Sequence, residues 1–299
     1  MNILIISGTG FIGSNLCESL SKDNDITIIS KYQHKFCDEI RNVSYIYEDW
    51  RNFDFEIFFS NNHFDKIILL GWSDHPRSSN KEIFQSFNTN VTATIKIIDD
   101  IFHYSKAEIY FLSSFGALPM IDSIYKNQLI SGYSAGKLTV ENYLETYSNI
   151  FERKTLSIRL SNPFGKYQDP HGSQGVIAVF IGNAISKKQI NIFQNEDFKK
   201  DYINITIASE KISKIIAEPH SNFFEIKQVR SGKVLSVLDI ATHINFHIPI
   251  IDLVPNNLKE LINTGTKKLK VVLKANKDLD ERNFSNEILS TINWIKRIN

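Results

Sequence analysis

Cysteine is scarce: Cys17 and Cys37 are the only two in 299 residues. No CxxC pair or spaced His/Cys set accompanies them, which argues against a zinc site or a disulfide framework and points to reduced thiols in a reducing compartment. An excess of either charge is lacking too. The chain has 34 Lys and Arg against 33 Asp and Glu, a net charge of +1, with no long basic run or acidic tail. That leaves no electrostatic footprint for nucleic acid. No apolar run approaches the length that spans a bilayer. The apolar start, Met1 to Ile6, is too short for a signal segment and runs at once into glycines. Internal repeats and low-complexity segments are also missing. A soluble cytoplasmic protein is expected, with no metal and no nucleic-acid or membrane partner.

What is present is a rhythm. Hydrophobic residues make up 42% and charged residues 22% of the chain, enough for one large domain or two joined ones. Short β-branched runs predict strands at Asn2–Ile6, Ile26–Ser30, Val43–Tyr47, Lys66–Leu70, Glu108–Leu112 and Leu156–Leu160. Helical patterns fall between them, at Ile12–Leu20, Phe87–Tyr104 and Tyr133–Tyr147. Apolar runs without strict alternation fit strands buried on both faces. Strands and helices taking turns predict a doubly wound parallel α/β sheet. After Leu160 the rhythm breaks. Asn162-Pro163-Phe164-Gly165 and the polar stretch Lys166–Gln174 read as loop, Val176–Ser186 as a helix, Leu261–Glu281 as irregular, and Ile288–Ile298 as a closing amphipathic helix.

Three groups of residues could carry chemistry. Ser7-Gly8-Thr9-Gly10-Phe11-Ile12-Gly13 stands between the first strand and the first helix. Glycines there permit a tight turn, backbone approach to a pyrophosphate and close helix packing, with the phosphates at the helix N-terminus. At the end of the second strand a carboxylate would bond the ribose hydroxyls of NAD, but the residues are Ser30-Lys31. A hydroxyl and an ammonium suit a 2′-phosphate, so NADP(H) is favoured, with NAD(H) as the alternative. Finally, Tyr133 and Lys137 stand four apart, one helical turn, on one face. An ammonium beside a phenol is expected to lower the phenol's pKa and make it a usable proton donor and acceptor.

Taken in order, these segments resemble the extended short-chain dehydrogenase/reductase family of nucleotide-sugar epimerases, dehydratases and reductases, although Ser7 stands at that family's first glycine. Asp49-Trp50 resembles its adenine contact, Leu70-Gly71-Trp72 stands where its fourth strand meets the cofactor, and Asn90-Val91 where a helix residue does so. Phe111-Leu112-Ser113-Ser114 is similar to the strand that ends on a catalytic hydroxyl, here Ser114. Tyr133 and Lys137 match its YxxxK, and Arg159 to Gly165 its segment after the sixth strand. Gln174 to Phe180, with Gly175 and Val176, resembles a segment under the substrate nucleotide. Lys200 to Ile205 is similar to a family segment in which Lys200 replaces the phosphate-binding Arg, and Ser231 to Val237 resembles a further family segment. The match covers roughly residues 1–240 and fades in the tail.

The resemblance implies a Rossmann domain over residues 1–165, with 201–229 folding back onto it, and a smaller substrate-binding domain from 166–200 and 230–299. It implies Ser114, Tyr133 and Lys137 as catalytic residues, with Asn162, Gly175, Val176 and Lys200 toward a nucleotide-sugar substrate. His171 reads as a solvated loop side chain. A homodimer through the helices of residues 87–104 and 133–147 is also implied.

Phe115-Gly116 follows the catalytic serine where dehydratases of this family carry Asp-Glu, so elimination of water lacks its acid and base. The family's 3,5-epimerase/reductases carry Cys after the serine and a His before the helix; Phe115 and Gly175 stand there instead. Two reactions survive. One is NADPH-dependent reduction of the C4 keto group of a nucleotide-linked 4-keto-6-deoxy sugar, dTDP-type, for deoxysugar and O-antigen (lipopolysaccharide) precursors. The other is an NAD-dependent 4-epimerase. A non-catalytic NADP-binding sensor is the remote third.

Overall fold

The computed structural model describes residues 1–117, 131–192, 199–250, 253–255 and 281–298. The chain divides into two units, Met1–Ser161 with Thr206–Arg230, and Asn162–Ile205 with Ser231–Asn299.

Ile- and Leu-rich runs build the sheet of the first unit. Its strands, in chain-wide numbering, are β1 (Asn2–Ile6), β2 (Asp25–Ile29), β3 (Val43–Ile46), β4 (Lys66–Leu69), β5 (Glu108–Ser114), β6 (Thr155–Leu160) and, late in the chain, β10 (Phe224–Val229). All pair in parallel, in the order β10-β6-β5-β4-β1-β2-β3. The order reverses between β1 and β4, the switch point where doubly wound sheets bind ligands beyond the carboxyl ends of their strands. Four of the five β1 residues are buried, which a strand covered on both faces requires.

Helices cover this sheet. They are α1 (Phe11–Leu20), α2 (Phe55–Asn61), α3 (Pro76–Ser79), α4 (Ile83–Ser86), α5 (Ala93–Tyr104), α6 (Gly132–Ile150) and α8 (Ile205–Ala217). Phe55 and Phe59 of α2, Ile97, Ile98 and Ile101 of α5, and Val140 and Leu144 of α6 pack with Leu4, Ile67 and Phe111 of the sheet. Each such side chain contributes about 1.5–3 kcal/mol on burial. Ser19 of α1 accepts a hydrogen bond from Ser213 of α8 at 2.8 Å.

In the second unit, β7 (Asn162–Phe164) pairs in parallel with β9 (Lys199–Asn204), which pairs antiparallel with β11 (Val234–Ser236). β8 (Ile190–Ile192) pairs with β12 (Leu253–Pro255). Helices α7 (Val176–Ile185), α9 (Val237–His247) and α10 (Glu281–Ile298) bury Ile177, Phe180, Ile240, Ile244, Phe284 and Ile288 together.

The structure corrects one expectation and refines others. Asn162 to Phe164 is a strand, not loop: β7 lies at a sheet edge, where Pro163 can sit without an amide hydrogen to donate. Strand β5 runs on to Ser114, two residues past the expected end at Leu112. Residues 87–92 form a π-helical turn ahead of α5. The closing helix begins at Glu281 instead of Ile288. Most of the Leu261–Glu281 stretch lies outside the described residues.

Candidate active site

Ser114 is the last residue of β5 and lies opposite Leu160 of β6, at the carboxyl edge of the sheet. The Gly116 N–H donates to its Oγ at 3.1 Å, and its hydroxyl is close enough to the Tyr133 phenol to pull that group's pKa down. Tyr133 is held from its backbone. The first turn of α6 starts with unpaired N–H groups, as every helix does. Here Asn80 Oδ1 accepts from Gly132 N, Ser79 Oγ from Tyr133 N, both at 2.9 Å, and the N-cap Ser131 Oγ from Ser134 N at 3.1 Å. The last residue of α3, Ser79, and the Asn80 that follows it thus fasten the turn that carries the phenol.

Lys137 is 3% exposed. Its Nζ donates to the Leu112 carbonyl at 2.8 Å and lies 4.0 Å from the centre of the Trp72 ring and 4.7 Å from that of Phe111. One turn further, Glu141 accepts from Arg159 Nη2 at 2.6 Å and from Ser157 Oγ at 2.8 Å, tying α6 to β6. The electrostatics reverse the expectation from spacing. Burial pushes the Tyr133 phenol up, with the Ser114 hydroxyl pulling the other way. Burial pulls Lys137 down to about 7, opposed by Glu141. The reason is geometric: the lysine's hydrogen bond goes to Leu112, and Nζ stays 5.8 Å from the Tyr133 ring centre.

The glycine loop closes β1 onto α1. Ser7 takes φ +63°, the left-handed conformation that glycine adopts at lower cost. A Cβ on Gly13 would stand 2.4 Å from the Gly8 carbonyl oxygen, so no other residue fits. A Cβ on Gly10 would meet nothing within 4 Å, and no side chain caps α1, whose first turn holds Phe11 and Ile12. Open backbone at a ten-residue helix N-terminus fits a dinucleotide pyrophosphate.

Beside it, Thr9 Oγ1 and Ser30 Oγ share a 2.6 Å hydrogen bond, both nearly buried. Lys31 Nζ is 3.3 Å from Asp49 Oδ2. Asp49 also accepts from Arg51 Nε and Nη2, and that guanidinium holds its carboxyl down at about 2. Trp50 is a core residue against Gly71, and Leu70 N donates to Ile6 O. Asn90 is 2% exposed, and its amide is taken up inside the protein. It accepts from Ser73 N and Oγ and donates to Asp74 Oδ2 and Ser86 O, fixing the loop after β4.

The structure therefore brings Ser114, Tyr133 and Lys137 together beyond the carboxyl edge of the first unit's sheet, with the glycine loop at that sheet's switch point. The other four expected residues belong to the second unit. Asn162 Nδ2 donates to the Asp201 carbonyl at 2.8 Å. Gly175 N-caps α7 in left-handed conformation, and Val176 opens that helix. Lys200 lies on β9, lowered in pKa by burial. Asp201 accepts from Ser231 N and Oγ and from Gly232 N.

Sequence reasoning placed Trp72 only in the segment where the fourth strand meets the cofactor, without its contact to Lys137, and missed Ser79, Asn80 and Glu141. The N-cap serine before an apolar-periodic run was a readable signal for Ser131. Ser79 and Asn80 carry none, because their partners lie more than fifty residues away. Among the described residues no His/Cys/Asp/Glu cluster could hold a metal, and no helix is long and apolar enough to cross a membrane.

Comparisons with known proteins agree with this architecture. The NAD dependent epimerase/dehydratase family matches residues 3–223. A Methanocaldococcus jannaschii protein provisionally named a UDP-glucose 4-epimerase is 26% identical over 253 residues, 81% of each chain. The dTDP-4-dehydro-6-deoxyglucose reductase of Escherichia coli is 25% identical over 266 residues, 82% of this chain and 81% of that one. Among solved structures, the UDP-N-acetylglucosamine 4-epimerase of Methanobrevibacter ruminantium, in complex with UDP-N-acetylmuramic acid, superposes with a TM-score of 0.80 at 22% identity, over 100% of this chain and 99% of that one. With so much of its length matched, the chain belongs to the NAD-dependent epimerase/dehydratase family, whose members depend on a nicotinamide dinucleotide.

Proposed function

We propose that this enzyme uses NADPH to reduce the C4 keto group of a nucleotide-linked 4-keto-6-deoxy sugar, with dTDP as the nucleotide. The observation that carries the reading is the end of β2. Ser30-Lys31 replaces the carboxylate expected for NAD, and the Lys31 side chain is 44% exposed, a cation within reach of solvent for a 2′-phosphate. Such a phosphate competes with Asp49 for that ammonium. The likeness to the Escherichia coli reductase supports the substrate class.

Residues Ser7 to Gly13 would hold the pyrophosphate, Ser30 and Lys31 the adenosine phosphate, Asp49 the adenine end beside the buried Trp50, and Leu70, Gly71 and Lys137 the remainder, with Asn90 fixing the loop after β4 through its engaged amide. Bound there, the dinucleotide supplies the hydride. Tyr133 supplies the proton that the C4 oxygen takes up. A phenol raised by burial keeps that proton at neutral pH, the form a reductase needs. Ser114 hydrogen-bonds the same oxygen and positions it. Lys200 binds a substrate phosphate as a point charge, with Asn162, Gly175 and Val176 of the same unit serving the nucleotide. A homodimer belongs to this reading: Phe87 and Tyr143 are 46% and 48% exposed on the helices concerned, and light scattering at twice the 34.4 kDa chain mass tests it.

A second reading, a 4-epimerase with tightly held NAD, is favoured by the likeness to the two 4-epimerase-named proteins. The nucleotide content of freshly purified protein separates them. The reductase is expected to come empty or with exchangeable NADP(H); stoichiometric NAD that survives dialysis would refute it and support the epimerase.

A further inference from the structure

Trp72 lies three residues past β4, where its ring closes a wall of aromatic faces around the Lys137 ammonium. Nζ is 4.0 Å from the Trp72 ring centre, nearer than to Phe111 at 4.7 Å or Tyr133 at 5.8 Å. The indole meets the Tyr133 ring edge-on, 5.9 Å between centres at 80°. A cation shielded from water gains more from such a face than an exposed one does, and Lys137 is buried. The neighbouring helix is shaped for the ring. A Cβ on Gly136 would stand 3.1 Å from Trp72 Cζ2 and 3.0 Å from Val91 Cγ2, so glycine beside Lys137 is what admits the indole. The indole N–H is buried and has no acceptor among the described residues. A hydrogen bond to the protein therefore does not explain the tryptophan; its face on Lys137 does.

We propose that Trp72 is a positioning residue for Lys137, its indole face holding the ammonium beside Tyr133 so that the lysine can grip the dinucleotide. This rests on the reading of Lys137 as a dinucleotide-binding side chain. Phenylalanine keeps an aromatic face and, given the unpaired N–H, removes no hydrogen bond to the described protein; leucine keeps only apolar bulk.

The test is equilibrium binding of NADPH to the purified full chain, read by cofactor fluorescence, in a double-mutant cycle. Trp72→Phe is expected to bind within a few fold of the parent and Trp72→Leu about tenfold more weakly. In the Lys137→Met background, Trp72→Leu is expected to weaken binding no further. Circular dichroism checks the fold of each variant, and Trp72→Met replaces the leucine variant should that one not fold. Equal binding by the phenylalanine and leucine variants, or the same fold-loss with and without Lys137, would show a packing role and overturn the assignment. A parent protein that binds no dinucleotide at all would instead overturn the proposed function, and this assignment with it.

Discussion

Replacing Lys137 with Met should stabilise the protein while removing its function. Below pH 7 the folded protein carries an ammonium that is 3% exposed, and burial lowers its pKa from the ordinary 10.5 to about 7. The unfolded chain binds that proton more tightly, so between pH 7 and 10.5 it holds more protons than the native state and stability rises with pH. By linkage the buried lysine costs about 4–5 kcal/mol at pH 6.5 and about 1–2 kcal/mol at pH 9.5. Methionine is close in length and leaves the Leu112 carbonyl without its 2.8 Å partner, a loss of about 1–3 kcal/mol. The variant should therefore be more stable by about 2 kcal/mol or more at pH 6.5, and about equal to the parent at pH 9.5. Urea unfolding at both pH values measures this. A variant less stable than the parent at pH 6.5, or a difference that does not change with pH, would refute the reasoning.

Tyr133→Phe should lose about a hundredfold or more of turnover and bind NADPH with unchanged affinity, seen by steady-state kinetics beside fluorescence titration. Ser79→Ala removes the acceptor of the Tyr133 N–H. It should cost about 1 kcal/mol in urea unfolding and lower kcat, although Ser79 is fully buried away from any reacting atom. Glu141→Gln leaves the Arg159 guanidinium, 11% exposed, without its counter-charge. Chemical denaturation should show a loss of about 3 kcal/mol.

Much of the first unit was legible because its information is local. Burial on both faces writes continuous Ile and Leu runs in strands such as β1 and β4, and the six early strands fall within two residues of their expected bounds. The glycine loop and the Tyr133-Lys137 spacing are also short-range, and the family that they and the later motifs resemble is the one the chain belongs to. What escaped depends on distant partners. β7 is a strand because Asn162 to Phe164 find β9 some forty residues on. Ser79 and Asn80 matter only because α6 arrives beside them. Spacing alone set Lys137 against the phenol, but its ammonium is bonded by the Leu112 carbonyl and lies over the Trp72 ring, contacts that helical spacing does not announce. Charge state followed the same rule: burial, a property of the whole fold, outweighed the neighbour one turn away.

The most direct test of hydride delivery to a C4 ketone is the absorbance of reduced cofactor when the purified enzyme meets dTDP-4-keto-6-deoxyglucose. The expected result is loss of NADPH in step with substrate, at a much lower rate with NADH, and a product reduced at C4. Unchanged NADPH absorbance, together with interconversion of UDP-sugar 4-epimers in the absence of added cofactor, would contradict it.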